Sequence, residues 1–491
     1  MKPSWTHPGR RMVDGTIRGF LAEALFPLTG LITAAFLTRR LGLANYGLFT
    51  LAATLVTWIE GSIVTVFARA TFKFIAEAED WRPIGTAVVR LHLATSGCVM
   101  LLLWLLASPI AVLFNEPVLA TYLRLFAFDI PLFSLARAHQ NVLIGIGGFN
   151  QRALASAGRW IARLILIVSL VAGGLAVPGA ILGSIGASLV EFAIGRFYVR
   201  PSLFGRSAFP AREFLRYAGF LFLSGLSLAL YNKLDLFVLK MLGGTAVQAG
   251  IYGAAQNLSA VPSLFAFAFS SLLLSTLSRV LHTGDSPLAK KIGCHAMRLI
   301  IGLLPFAGLA AGAASEVVSA IFGPDFLPAA PLLAVLIFGA LALVMIAVTT
   351  AILTAAGKPG WTFVLTGPLL PLALAGHLVM IPRLGMIGAS LVTTLLAGLG
   401  AVATVLAVHR CWRIFPPWET LMRSLLISGG AYVLAVLWPA PGMLLVFKLP
   451  VIGLLISLSF LLLGEFSAAE IALARSLVHW RVAAERTSGE V

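Results

Sequence analysis

Residues 329–354 read AAPLLAVLIFGALALVMIAVTTAILT, a run without a single charged side chain. A helix rises ~1.5 Å per residue, so a run of this length is enough to cross a hydrocarbon core of about 30 Å. Apolar residues follow one another here without the polar alternation, in blocks of about ten, that a membrane barrel strand would show. The run therefore reads as a transmembrane helix. Moving outward from it, further apolar runs fall at 17–38, 48–68, 88–114, 119–144, 156–175, 178–199, 215–240, 250–275, 294–316, 362–380, 385–408, 421–438 and 443–463. The expected fold is an all-α integral membrane protein of about fourteen spans. Its first apolar stretch, Gly19 to Thr38, is too long for a signal-peptide core and reads as a retained span.

The composition leaves little room for a soluble alternative. Apolar residues make up 59% of the 491 positions and charged residues 11%, with a mean hydropathy of +0.98. Soluble domains hold roughly 45–50% and 25%. The net charge of +16 would suggest nucleic acid in a soluble chain. Here the basic residues are dispersed and carry no aromatic platform, so no nucleic-acid partner is expected. Three cysteines, Cys98, Cys294 and Cys411, stand far apart without metal-ligand spacing. If loops are assigned alternately to the two sides, only Arg39, Arg40, Arg124, Lys240, Arg383 and Lys448 fall on one of them. All other lysines and arginines fall on the opposite side, save Arg137 and Lys233 inside spans. That bias places both termini in the cytoplasm and fits an even number of spans.

An internal repeat organises the chain. Ile185-Gly-Ala-Ser-Leu-Val190 recurs unchanged at Ile387-Gly-Ala-Ser-Leu-Val392. Each copy follows a proline-bearing turn, Val177-Pro178 and Ile381-Pro382. Leu41-Gly42, Tyr46-Gly47 and Ala52-Ala53 likewise match Leu242-Gly243, Tyr252-Gly253 and Ala254-Ala255. The loop Gly145-Ile-Gly-Gly148 matches Ala355-Ala-Gly357-Lys-Pro-Gly360. Such a period holds an even number of spans, which gives parallel repeats about an axis along the membrane normal. The expected organisation is two parallel six-helix bundles, 1–200 and 201–410, around a central cleft. A helix pair at 411–463 follows, then an amphipathic cytoplasmic tail, 464–491, with Leu473, Leu477 and Trp480 at helical spacing.

Three stretches resemble a known family. Arg39-Arg-Leu-Gly-Leu-Ala-Asn-Tyr-Gly-Leu-Phe49 is similar to the element after the first span of oligosaccharide flippases. Arg69-Ala-Thr-Phe-Lys-Phe-Ile-Ala-Glu77 resembles their arginine-led cytoplasmic segment. Leu234-Asp235-Leu-Phe-Val-Leu-Lys240, with Leu242-Gly243 and Ile251-Tyr252, resembles their seventh-span element. The chain is thus identified as similar to the polysaccharide-transporter (Wzx-like) family of the multidrug/oligosaccharidyl-lipid/polysaccharide superfamily. It departs from that pattern at Leu43-Ala44-Asn45, where proline or glutamate is common. The resemblance implies a non-enzymatic flippase of the bacterial inner membrane. Its substrate would be a polyprenyl-pyrophosphate-linked oligosaccharide for surface polysaccharide such as O-antigen or exopolysaccharide. Membrane lipids, a polysaccharide polymerase and glycosyltransferases are its expected partners. A cation-coupled multidrug antiporter, a membrane-embedded polymerase or ligase and a non-transporting assembly factor are the competing readings.

Charges inside spans usually face a bundle interior or a wet cavity. Glu23, Glu60, Arg137 and Glu191 occupy the first half, each roughly 7–12 Å from the cytoplasmic end at ~1.5 Å per residue. Arg137, Asn141 and Ser134 share a helix face. Arg137 is expected either to meet a pyrophosphate bidentately or to pair with Glu60 or Glu23. Glu191 is expected either to line a cavity or to snorkel towards Arg196. The candidate substrate-binding set is Arg137, Asn141, Glu60, Glu23, Arg69 and Glu191. In the second half Asn232 and Asp235 share a face, and Asn257 with Gln256 follows on the next span. Asp235, Asn232 and Asn257 form the candidate ion-coupling set, for Na⁺ or a proton, against a structural salt bridge from Asp235 to the neighbours of Lys233 or to Lys240 across a gate. His377 is a satisfied polar residue or a relay. Gly308 and Gly312 have the spacing for close helix contact. No catalytic motif or resident cofactor is expected.

Overall fold

Backbone polar groups in hydrocarbon find no water, so they must be satisfied within the segment. The computed structural model shows that solution throughout: it describes residues 8–77, 80–202, 230–231 and 233–465, and every regular element among them is a helix. In chain order these are α1 (Pro8–Glu77), α2 (Arg82–Leu113), α3 (Val118–Phe126), α4 (Asp129–Gly145), α5 (Phe149–Leu170), α6 (Ala176–Tyr198) and α7 (233–241). The second half continues with α8 (Ala246–Ser259), α9 (Val261–His282), α10 (Ser286–Ile301), α11 (Leu304–Gly312), α12 (Ala314–Phe322) and α13 (Ala330–Ala355). It ends with α14 (Pro359–Thr366), α15 (Leu369–Trp412), α16 (Trp418–Leu437) and α17 (Leu444–Leu462). Asn232, most of the expected run 215–240 and the expected tail beyond Glu465 lie outside the described residues. So do the side chains of Glu23 and Arg69.

Nine stretches among the described residues are long and apolar enough to cross a membrane. Three of them, Leu25–Val64, Phe149–Tyr198 and Gly360–Trp412, are longer than one crossing needs, and each contains a backbone break. Gly42 breaks the first with φ 73, and Gly385 breaks the last with φ 57. A side chain at either position would be strained, whereas glycine adopts these angles freely. A π turn, Val171–Leu175, breaks the middle stretch, with Gly174 at φ 94. These breaks fall at or beside the turns expected between runs 17–38 and 48–68, 156–175 and 178–199, and 362–380 and 385–408. The expected run 250–275 is interrupted instead. Its helix restarts at Val261-Pro262, where proline has no N–H to continue the ladder.

Packing follows the small residues. α5 lies on α6, with Gly183 against the Ile167 backbone. In the second half α13, buried along much of its length, packs against α9, α11 and α15. Gly308 and Gly312 bring α11 onto α16: a Cβ at these positions would stand 2.4 Å from Ser428 O and 2.6 Å from Tyr432 O. Two ionic contacts fasten the final helix pair. Lys448, fully buried on α17, donates to Glu316 Oε1 at 2.6 Å and to Ala435 O at 2.7 Å. At the other end, Glu465 accepts from Arg298 Nε at 2.7 Å, Thr420 Oγ1 at 2.5 Å and Arg423 Nη1 at 3.1 Å. The outward faces of α16 and α17 stay apolar and uncovered, as at Leu437 and Leu462, a pattern that fits lipid rather than water.

Candidate functional site: two polar centres and a closed end

The first polar centre is buried in the N-terminal half. Glu191 on α6 has no exposed surface. Its Oε1 accepts from Gln140 Nε2 at 2.5 Å and lies 3.6 Å from Arg137 Nε, while its Oε2 lies 3.2 Å from Arg159 Nε. Gln140 is the hub of the arrangement. Its Nε2 also donates to Ser156 Oγ at 3.1 Å, and its Oε1 accepts from Arg137 Nη1 at 2.9 Å. Both guanidinium groups also lie over the Phe133 ring, at 5.0 and 4.5 Å. Arg163, further along α5, is buried within electrostatic reach of Asp129 and Glu60. Three arginines and three acids thus converge from α1, α4, α5 and α6.

Several expectations change here. Arg137 is tied to Gln140 and Glu191, while Asn141, buried, leaves its Nδ2 without a described partner. Residues three apart on a helix meet as readily as those four apart. Ser134 turns away from Arg137 and shares a 2.8 Å hydrogen bond with His92 Nδ1. Glu191 does not reach towards Arg196, whose guanidinium donates to the Pro201 carbonyl. Arg159, Arg163, Gln140 and Asp129 join the centre without having been candidates. The spacing Arg152, Ser156, Arg159, Arg163 is a polar stripe at helical period, and Asp129 is one more acid in the apolar run 119–144.

The second centre is built on Asp235, which is 2% exposed. Its Oδ2 accepts from the Tyr252 hydroxyl at 2.7 Å and Thr393 Oγ1 at 3.1 Å. Its Oδ1 accepts from Gln256 Nε2 at 2.8 Å and Leu236 N at 2.8 Å. Lys233 and His377 lie within electrostatic reach of the same carboxylate. Asn257 does not join this set: its Nδ2 donates to the Tyr46 hydroxyl at 3.1 Å. Lys240 pairs with Glu116 across the two halves rather than with Asp235. The two centres are related through the repeat, for Glu191 and Thr393 are the residues that directly follow the two copies of the shared hexapeptide.

At one end the halves are closed. There the second arm of α1 crosses α8 backbone to backbone. A Cβ on Gly47 would stand 1.8 Å from Ala246 O, and one on Gly253 would stand 2.4 Å from Thr50 Cγ2. Around this crossing Lys240 Nζ donates to Glu116 Oε1 at 2.7 Å and Arg39 Nη2 to Ala320 O at 2.6 Å. Tyr46 meets the Phe326 edge at 5.6 Å, and Phe114 stacks on Phe237 at 6.2 Å. The segments that cross, Tyr46-Gly47 and Tyr252-Gly253, are themselves repeat partners.

Buried polar centres held among helices long and apolar enough to cross a membrane mark a multi-pass membrane protein. Residues 12–280 match the model of a family described as Polysaccharide biosynthesis protein, and the chain belongs to that family. It is 24% identical, over 422 residues, to the Probable flippase AglR of Haloferax volcanii, with 84% of this chain and 86% of the relative covered. Its fold is similar to that of Lipid II flippase MurJ in an inward closed conformation. The TM-score there is 0.73 at 15% identity, over 95% of this chain and all of the other. The Vibrio cholerae MATE transporter VcmN shares the fold at a TM-score of 0.60 and 16% identity, over 82% of this chain and 97% of its own.

Proposed function

We propose that the protein flips a polyprenyl-pyrophosphate-linked oligosaccharide from the cytoplasmic to the outer leaflet of a bacterial inner membrane by alternating access. The observation that carries this reading is the arginine centre of the N-terminal half. Arg137 and Arg159 hold a single carboxylate, Glu191, between them. A pyrophosphate offers the same acceptor chemistry with more oxygens, and guanidinium forks bind phosphate bidentately. In this reading Glu191 is a resident counter-anion that the incoming head group displaces, while the polyprenyl chain stays in lipid. On the same reading the basic-residue bias puts the closed end outside, and a cleft between the halves opens to the cytoplasm, where such substrates are made. A negative interior favours export of the dianion, by ~2.3 kcal/mol per charge per 100 mV. The expected partners are membrane lipids and the enzymes that build and polymerise the glycan.

The test starts from a strain deleted for this gene. Its polyprenyl-pyrophosphate-linked oligosaccharide is quantified in lipid extracts beside glycan at the cell surface. Accumulated lipid-linked units with lost surface glycan are expected. The wild-type gene should restore both, and Arg137→Ala and Arg159→Ala should each leave at least tenfold less surface glycan, the loss of ~1.4 kcal/mol or more of binding. An unchanged lipid pool together with new drug sensitivity would replace this reading with the cation-coupled antiporter.

A further inference from the structure

Away from the closed end, the second half gathers three elements into one corner. α13 starts after Phe326 at the closed end and runs 26 residues to Ala355, so Lys358 just beyond it marks the opposite end. There Lys358 Nζ lies 3.5 Å from Cys411 Sγ in the last turn of α15. The connector from α15 to α16 folds against α10: Cys294 Sγ donates to Phe415 O at 3.6 Å, and a Cβ on Gly293 would stand 3.2 Å from Ile414 and 3.6 Å from Trp412. Lys358, Lys290 and Lys291 on α10, Arg410 on α15 and Arg413 on the connector are all exposed here. None of the five meets a carboxylate among the described residues. The acids close by are committed elsewhere. Asp285 caps its own helix at Leu288 N, Arg423 holds Glu419, and Glu465 is held by Arg298 and Arg423.

A second observation concerns the backbone. Arg413 follows the last turn of α15 in the left-handed conformation, φ 54 and ψ 34, with its N–H on His409 O. Glycine is the usual residue at such a position, because any other side chain is strained there. A cation near a helix C-terminus gains something from the free carbonyls. That accounts for one basic residue and not for five. Like charges gathered without counter-ions repel one another, and strain tends to persist where a site uses it. The surroundings say what anion would serve. Phe415 and Trp418 are 45% and 62% exposed beside the connector, and Leu288 and Leu299 are exposed on α10. Aromatic rings of this kind sit at headgroup level, with the hydrocarbon beginning below them.

We propose that this corner binds the headgroup of an anionic phospholipid from the adjoining leaflet. Arg413 and Lys358 hold its phosphate, Lys290, Lys291 and Arg410 surround it, and Phe415 and Trp418 border its upper acyl chains. Charge complementarity selects this occupant: a single phosphate supplies oxygens to cations from α10, the turn after α13 and the α15–α16 connector, and so ties the three together. The proposal does not depend on the flippase reading above.

The test titrates the full chain in detergent with phosphatidylglycerol or with phosphatidylcholine of the same acyl chains, and counts bound lipids by native mass spectrometry. Wild type should retain one phosphatidylglycerol at a concentration about tenfold or more below that needed for phosphatidylcholine, and only phosphatidylglycerol should raise its unfolding temperature. Lys358→Gln with Arg413→Gly should weaken that binding by roughly twentyfold or more, about fivefold for each cation removed from an anionic headgroup. Arg413→Gly suits the left-handed turn, so the lipid-free unfolding temperature should not fall, and weaker binding cannot be put down to misfolding. The control removes the same charge from the first half. Arg82 and Arg200 are exposed next to Trp81 and Pro201, which meet over Gly85; Arg82→Gln with Arg200→Gln should leave the binding as in wild type. Equal losses in the two pairs would mean diffuse attraction to a basic surface and overturn the proposal. Equal retention of both lipids by wild type overturns it as well. So does a polyprenyl pyrophosphate that displaces phosphatidylglycerol from wild type at lower concentration, since the occupant would then be the carrier lipid.

Discussion

At the scale of single residues, the molecule separates carboxylates by how completely their oxygens are filled. Glu465 is the filled case at the membrane edge. Burial works to raise its pKa, but hydrogen bonds from Thr420, Arg298 and Arg423, with the Arg298 charge, outweigh that and hold it below the ordinary value of 4.5. A carboxylate whose pKa is lowered on folding stabilises the native state above its unfolded value, and that contribution is lost as pH falls through the folded one. Glu465→Gln should therefore lower stability by ~1–3 kcal/mol at neutral pH, the range for hydrogen bonds to a charged group. The gap to wild type should narrow progressively as pH falls below 4.5. Thermal unfolding in detergent from pH 7 to pH 3 reads both, and a gap of constant size would show that the carboxylate's charge is not what matters. The same scale shows where sequence reading ends. Arg137 and Glu191 are legible because they interrupt apolar runs, whereas Gln140, which joins them, carries no charge to mark it. Gln256 and Asn257 are adjacent, but one position on a helix is a turn of about 100°. That turn sends Gln256 to Asp235 and Asn257 to Tyr46.

At the scale of elements, glycine decides which helices touch and how closely. The spacing of Gly308 and Gly312 announced a close contact, and the structure supplies its partner, α16. The Tyr-Gly landmarks of the repeat showed two equivalent segments. Equivalence does not say that the two will meet, because a repeat fixes likeness while the crossing depends on how the halves are placed. Their meeting separates two kinds of glycine by consequence. Gly308→Leu forces α11 off α16 in whatever state the molecule adopts, so it should cost ~1–3 kcal/mol of overall stability. Gly47→Ala places its Cβ against the Ala246 carbonyl only while the end is closed. It should leave the unfolding temperature near wild type. With the native cysteines changed to serine and spin labels at Asn45→Cys and Leu327→Cys, both exposed at the closed end, it should shift the ratio of distances towards the open arrangement by roughly tenfold or more, the same order of energy. If Gly47→Ala lowered the unfolding temperature as Gly308→Leu does without moving that ratio, the crossing would be a fixed joint and not a gate.

For the whole molecule, the question is what must break for the closed end to part. One apolar cluster runs through both halves there, from Phe49 and Phe126 to Tyr252, Phe322 and Phe326. Apolar contact is non-directional and can be re-formed elsewhere along sliding faces, so it holds the halves together without setting one position. The polar links are specific. Lys240 is 3% exposed and reaches both Glu116 in the other half and Gly244 O on its own side. Opening must separate that pair, and each charge must then find water or a new partner. A buried pair contributes little net stability when intact, yet removal of one member strands the other at a cost of ~3–5 kcal/mol. Glu116→Gln should accordingly favour the open arrangement strongly, since Lys240 is left buried without its carboxylate. Lys240→Met should do so less, because Glu116 is only partly buried and can be hydrated where it stands. The double substitution should return the balance most of the way to wild type, giving a coupling of at least ~1 kcal/mol in a double-mutant cycle on the spin-label ratio. Additive effects would mean that the pair is an accident of the closed state. A double variant that stays closed would instead make charge separation across this end the step that lets it open.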